Sequence, residues 1–137
     1  MKTFVVSAVS IVLVGIFFCP MAMSAPSMPA DLQMVQPDPS LPKELSAFFG
    51  KWECIATQNF FVIVEQIDDE KASLYVWVTT PDGNAPSWGR REAKVIKERG
   101  KYILWTTGRF ASSKYTLKGE YLEWSGSSGS TRFRRVP

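Results

Sequence analysis

The chain contains no histidine among its 137 residues. Histidine is the commonest general base, the commonest side-chain metal ligand and the usual switch near neutral pH. Its absence excludes Ser-His-Asp triads, Cys-His dyads and zinc sites that use imidazole. An enzyme of this sequence would have to use carboxylates, lysine, tyrosine or cysteine, and no arrangement of these stands out. We therefore predict a protein with no catalytic residues, no metal and no cofactor.

Cysteine is almost as scarce, with only Cys19 and Cys54 in the chain. Cys19 lies in an apolar N-terminal run, and the residue before it is Phe18, whereas a lipoprotein signal needs a small residue there. If that run is removed, Cys54 is left alone, so a monomer has no internal disulfide even in an oxidising compartment. With no histidine to activate it, Cys54 is predicted to be a buried strand residue.

The net charge is also small. The net charge of +3 comes from 16 basic and 13 acidic residues, and it falls to about +2 (15 against 13) once Lys2 is lost with a leader. This excess is too small to indicate a nucleic-acid partner. Hydrophobic residues at 45% and charged residues at 21% are ordinary for a globular domain, which excludes a wholly disordered chain.

The N-terminus has the features of a secretory signal. Met1 and Lys2 form a short positive region, and residues 4–19 are an apolar run of 16 residues, shorter than a membrane-spanning helix needs. Ala22 and Ser24 place small residues before Ala25. We therefore predict a signal peptide at residues 1–24 and export to the periplasm or the medium, with no membrane insertion of the mature chain. An uncleaved anchor is the alternative.

The mature chain divides into two parts, a linker and a domain that begins with a short helix. Residues 25–41 are rich in proline and polar residues, which predicts an extended, poorly ordered linker. Residues 42–49 then predict a short helix with Pro42 in its first turn and Gly50 as its stop. Residues 42–137 are predicted to form a single domain.

Everything after Gly50 is typical of β-structure, because short apolar or alternating runs are separated by turn residues. The second run is apolar enough to be covered on both faces, and the third puts Leu74 and Val76 on one face and Tyr75 and Trp77 on the other. No helix separates the runs, so we predict an all-β fold, an eight-stranded antiparallel up-and-down barrel. The predicted strands are 52–57, 60–67, 72–80, 88–97, 102–107, 110–117, 121–125 and 131–136.

The start of the first strand resembles a known family. Gly50 and Trp52, after a short helix, resemble the Gly-x-Trp signature of lipocalins and calycins. In that family an Arg or Lys of the last strand packs over the tryptophan and closes the base of the barrel. The resemblance implies that Arg132 or Arg134, which share a face, takes this role, with Arg135 next to them. The implied barrel base is therefore Gly50, Trp52, Arg132 and Arg134.

A second resemblance extends over most of residues 41–137. The runs Leu41–Glu53, Val62–Ile67 and Ala72–Trp77 are similar to small exported bacterial domains that occur alone or beside hydrolase domains. It implies the same small barrel and no particular activity.

The candidate ligand residues follow from the implied barrel. In calycins the ligand enters at the end opposite the Gly-x-Trp base, which in a meander is the end of the loop Pro81–Ser87. Tyr75 and Trp77 precede this loop, and Trp88 and Arg90 follow it. We predict that these aromatic residues supply apolar contact and that Arg90 binds a carboxylate or a similar group. Glu65, Asp68, Asp69 and Glu70 are a candidate acid/base pair or calcium site, but three of the four lie in a predicted tight turn, so a solvated turn is the favoured interpretation.

Three function classes stay open on this basis, of which an enzyme has the least support. The first is a non-enzymatic binding module for a small hydrophobic or amphipathic molecule held in the barrel mouth. The second is a domain that docks on another envelope or secreted protein, possibly a hydrolase, with Tyr75 and Trp77 facing outward. The inward-facing residues discriminate between them, because small side chains leave a cavity in the barrel and large aromatic side chains fill it.

Overall fold

The computed structural model describes residues 26–57, 60–78, 85–108 and 112–137. The predicted signal peptide at residues 1–24 lies outside the described residues, and so does most of the predicted loop before Ser87.

The described chain forms one short helix and eight strands. Each strand pairs antiparallel with its neighbours in sequence, and the last pairs with the first, so the sheet is a closed barrel. This confirms the predicted up-and-down barrel. The elements are α1 (Lys43–Ser46), β1 (Gly50–Cys54), β2 (Phe61–Ile67), β3 (Lys71–Val78), β4 (Ser87–Glu98), β5 (Lys101–Thr107), β6 (Ser112–Lys118), β7 (Tyr121–Gly126) and β8 (Gly129–Val136).

The barrel interior is filled by large side chains. Alternation along each strand turns one residue in two towards the axis, and the most deeply buried of these include Trp52, Leu74, Leu104, Leu122 and Phe133. At the end of the barrel away from the helix, the ring of Phe60 packs edge-on against those of Phe133 and Trp124. The ring centroids are 4.9 and 6.0 Å apart. Large side chains therefore fill the described interior, and this is the condition given above for docking on another protein.

The helix and three turns lie at one end of the barrel, its base. Leu45 and Phe48 are buried there under α1. The predicted Asp68–Asp69 turn joins β2 to β3 at this end, and the side chain of Asp68 accepts the N–H groups of Glu70 and Lys71 at 2.8 Å. The helix is shorter than predicted, because Gly50 begins β1 and does not end α1.

The last hairpin is tighter than predicted. The predicted strands 121–125 and 131–136 leave residues 126–130 as their connection, but Gly126 pairs with Gly129 across a two-residue turn. Gly129 adopts a φ of +133°, which is strained for any residue with a side chain. β8 therefore begins two residues earlier than the expected Thr131.

The cationic partner of Trp52 is Arg135, and the prediction of Arg132 or Arg134 was wrong. Trp52 lies opposite Arg135 in the β1–β8 pairing, so both side chains are on the same face. The guanidinium lies 4.3 Å from the centroid of the Trp52 ring and donates to the carbonyls of Phe49 and Ala47. Arg132 and Arg134 lie on the opposite face and pair with carboxylates of neighbouring strands.

The N-terminal segment, residues 26–41, lies across the outside of the barrel. It contains neither helix nor strand, as expected of a linker, but it is bonded to β2 and β4. The N–H of Val35 donates to the carbonyl of Glu65 at 2.8 Å, and Nε1 of Trp88 donates to the carbonyl of Ser27 at 2.8 Å. This segment covers the outer side of β2, which accounts for the predicted burial of that strand on both faces.

Candidate functional site

The four predicted ligand residues are neighbours on the outside of the barrel. Tyr75 pairs with Arg90 and Trp77 with Trp88 across strands β3 and β4. Leu74 and Val76 take the inward positions of β3 and belong to the core, so Tyr75 and Trp77 face outward. We call the outer side of β2, β3 and β4 the outer face. The structure thus places the four residues on the outer face and not inside the mouth, while their role in binding stays a prediction.

Two aromatic contacts organise the outer face. The rings of Trp77 and Trp88 lie 5.3 Å apart at an angle of 59°, and the guanidinium of Arg90 lies 5.7 Å from the centre of the Tyr75 ring. Since Nε1 of Trp88 is already bonded to Ser27, the N-terminal segment is part of this arrangement.

Glu65 is the buried acidic group of the outer face. Its carboxylate accepts hydrogen bonds from Nη2 of Arg90 at 2.8 Å, Oγ of Ser73 at 2.8 Å and the N–H of Gln33 at 3.1 Å. A buried carboxylate needs such partners, because an unpaired charge away from water is costly. From the sequence, Glu65 is considered only together with the acidic turn, so its place on the outer face was missed. The available signal was a single glutamate inside an otherwise apolar strand.

The hydroxyl of Tyr75 is buried and lies near two carboxylates. Tyr75 is 3% exposed, and its hydroxyl makes no hydrogen bond of normal length with a described residue. Burial raises the pKa of Tyr75, and the side chain of Asp31 and the negative charge of Glu65 raise it further, although the charge of Arg90 lowers it. Because Asp31 belongs to the N-terminal segment, the segment also contributes to the electrostatics of this face.

An apolar cleft of about 330 Å³ lies beside the outer face. The N-terminal segment forms one side of it and the outer sides of β1 and β2 form the other. Trp88 is the only one of the four predicted ligand residues in its lining, so the cleft overlaps the predicted set at one position. Its apolar lining is Pro26, Met28, Phe61, Ile63, Trp88 and Val136, with Lys51 and Glu53 among the polar contributors.

The charges at the cleft are unequally matched. The carboxylate of Glu53 accepts from Nε and Nη2 of Arg134 at 3.2 and 3.0 Å. Lys51 also lines the cleft and forms no ion pair with the described residues. The cleft can therefore hold an apolar group whose polar end lies beside Lys51.

Cys54 is buried, as predicted. Its sulfur lies 3.2 Å from Oγ1 of Thr131. Burial alone would raise the pKa of Cys54, but hydrogen bonds with Thr131 and with residues 56 and 57 together lower it.

Among the described residues, no group of three or more His, Cys, Asp or Glu side chains is arranged to hold a metal ion. In the same part of the chain, no helix is both long and apolar enough to cross a membrane.

Comparison with known proteins gives no relative: no protein-family model, no curated protein and no solved structure matches this chain. The resemblance to calycins therefore extends to the closed barrel and to the Gly50–Trp52 base, and membership of that family stays a hypothesis.

Proposed function

We propose that this protein is an exported, non-enzymatic binding module for a small apolar or amphipathic molecule, and that the apolar cleft is its site. The observation that carries the proposal is the cleft itself. Its volume of about 330 Å³ is at the lower end of the range for small-molecule sites, and Met28, Phe61, Ile63 and Trp88 give it an apolar lining. The filled interior of the barrel counts against a ligand held in the barrel mouth, so the proposal rests on the cleft on the outside.

The site is tested with N-phenyl-1-naphthylamine, a neutral apolar probe whose fluorescence rises away from water. Met28→Lys places a charge in the lining of the cleft from the N-terminal segment and leaves the barrel unchanged. We expect the dissociation constant of the probe to rise by about tenfold or more, since burying a charge opposes binding of an apolar group.

Met34→Lys is the matched control. Met34 belongs to the same segment and is 37% exposed, against 48% for Met28, but it does not line the cleft. We expect its dissociation constant to stay within about twofold of the unmodified protein. An equal effect of the two substitutions, or no saturable binding by the unmodified protein, would reject the cleft as the site.

Docking on another protein is the second candidate function. A different surface supports it: Ile55 and Tyr121 are large exposed hydrophobic residues, at 52% and 44%, and both line a groove with Arg134. Native mass spectrometry of the protein purified from its own envelope extract separates the two candidates. A co-purifying small molecule favours the binding module, and a co-purifying protein favours docking.

A further inference from the structure

Glu65 lies at a β-bulge of β2, under the N-terminal segment. The pairing of β2 with β3 is regular as far as Val64 and resumes at Gln66, so that Glu65 is the extra residue. Val62 and Val64 belong to the core, so alternation alone turns Glu65 to the outer face. Bulges are frequent beside functional sites. The side chain of Glu65 is only 2% exposed, so a carboxylate is buried where the segment crosses the strand.

The partners of Glu65 are all donors. An N–H of the segment, from Gln33, meets the carboxylate together with Ser73 and Arg90, and the N–H of Val35 meets the main-chain carbonyl of the same residue. A carboxylate only accepts hydrogen bonds, and it can accept all of these at once. An amide in its place would direct its own N–H₂ group towards a donor. The fit is thus specific for a carboxylate and not simply for a residue of this size.

The segment that Glu65 holds is the one that lines the apolar cleft. Pro26 and Met28 form its side of the cleft, Ser27 between them is bonded to Trp88, and Gln33 and Val35 are bonded to Glu65. The wall of the cleft is therefore fixed at one end by Trp88 and at the other by Glu65.

We propose that Glu65 is a positioning residue of the ligand site. It holds the N-terminal segment as the movable wall of the apolar cleft, without contacting the ligand itself. This inference rests on the proposed function. If the inference is correct, a bound molecule leaves the cleft faster when the segment is released from Glu65.

The test replaces Glu65 by glutamine in the full chain. Glu65→Gln keeps the volume of the side chain but removes the ion pair with Arg90 and mismatches one donor. We expect faster amide hydrogen exchange in the peptides covering residues 26–41. We also expect about tenfold faster dissociation of N-phenyl-1-naphthylamine in stopped-flow fluorescence, with its association rate unchanged or faster.

Glu123→Gln is the matched control, because it removes the ion pairs of a half-buried glutamate with Lys118, at 2.8 Å, and Arg132, at 3.5 Å, on strands that the segment does not cross. Its exchange and dissociation rates are expected to equal those of the unmodified protein. Should Glu65→Gln fail to fold, Ser73→Ala removes one donor, leaves the ion pair intact and is expected to shift both rates in the same direction by a smaller amount.

The outcomes separate the two proposals. Saturable binding by the unmodified protein, with unchanged exchange of residues 26–41 in Glu65→Gln, shows that Glu65 does not hold the segment. Faster exchange with an unchanged dissociation rate shows that the segment is not a wall of the site. Either result overturns the positioning role and leaves the binding function standing. Absence of binding by the unmodified protein overturns both.

Discussion

At the scale of single residues, the base of the barrel depends on two positions that need each other. Gly50 has a φ of +125°, and a Cβ built on it would lie 2.6 Å from Nη1 of Arg135. Only glycine suits both that backbone conformation and that contact. Arg135 uses the space to cover Trp52 and to satisfy carbonyls at the end of α1. The Gly-x-Trp pattern thus has a physical basis in this chain.

Arg135→Ala tests this arrangement. The variant loses two charge-assisted hydrogen bonds and a cation–π contact, and because the side chain is partly exposed we expect a loss of about 1–2 kcal/mol in the free energy of unfolding. Arg132→Ala and Arg134→Ala each remove only an exposed ion pair and should cost less than about 1 kcal/mol. Urea unfolding monitored by tryptophan fluorescence measures all three. Equal losses for the three arginines would contradict the assignment.

Tyr115, in the core of the barrel, predicts a pH dependence. Burial raises the pKa of Tyr115 above its ordinary value of about 10, although the charge of Arg91 opposes this shift. Below pH 10 the phenol is neutral in both the folded and the unfolded protein, so its full contribution to the free energy of unfolding is present. Above that pH the unfolded chain loses the proton first, and stability is expected to fall by up to about 1.4 kcal/mol per pH unit from this group.

Tyr115→Phe should therefore flatten the fall in unfolding free energy between about pH 10 and 11. Tyr121→Phe is the control, since Tyr121 is exposed and its replacement should leave the slope unchanged. Urea unfolding at a series of pH values provides the measurement. Identical slopes for Tyr115→Phe and the unmodified protein would show that the buried phenol does not govern alkaline stability.

At the scale of elements, the sequence pattern predicted the strands, because alternation and turn residues act over short stretches of the chain. Alternation and turn residues gave all eight strands, with ends within a few residues of those observed. The apolar run of β2 correctly predicted cover on both faces. The hairpin at Gly126–Gly129 was missed because several glycines and serines in a row permit a loop as readily as a tight turn.

The candidate site was harder to predict, for two physical reasons. Alternation correctly grouped Tyr75 with Trp77 but could not say which face of β3 lies inside, since that depends on what the rest of the barrel contributes to the core. The bulge at Glu65 could not be predicted either, because it depends on how β2 pairs with β3 and on the distant N-terminal segment. The partner of Trp52 was mispredicted for the same reason. Alternation shows that Arg132 and Arg134 share a face of β8, but it does not show which face meets Trp52.

At the scale of the whole molecule, the barrel and the N-terminal segment are parts of one folded unit. The segment covers side chains that an eight-stranded barrel alone would leave in water, among them Phe61, Ile63 and Tyr75. It also completes the hydrogen bonding of Glu65 and forms one wall of the apolar cleft. What the composition indicates as a linker therefore acts as an outer layer over three strands.

Removal of residues 26–35, the part of the segment that contacts the outer face, tests this view. A chain that begins at Gln36 retains every strand and α1, so we expect it to fold, but with a free energy of unfolding lower by about 2–4 kcal/mol, because full burial of even one large apolar side chain contributes about 1.5–3 kcal/mol. It should also fail to bind N-phenyl-1-naphthylamine in the cleft. A chain that begins at Ala25 is the control, because it keeps the segment and differs from the first only in residues 25–35. Equal unfolding free energies for the two chains in urea would show that residues 26–35 add nothing to the stability of the fold. Exposure of the outer face to water would then have no cost.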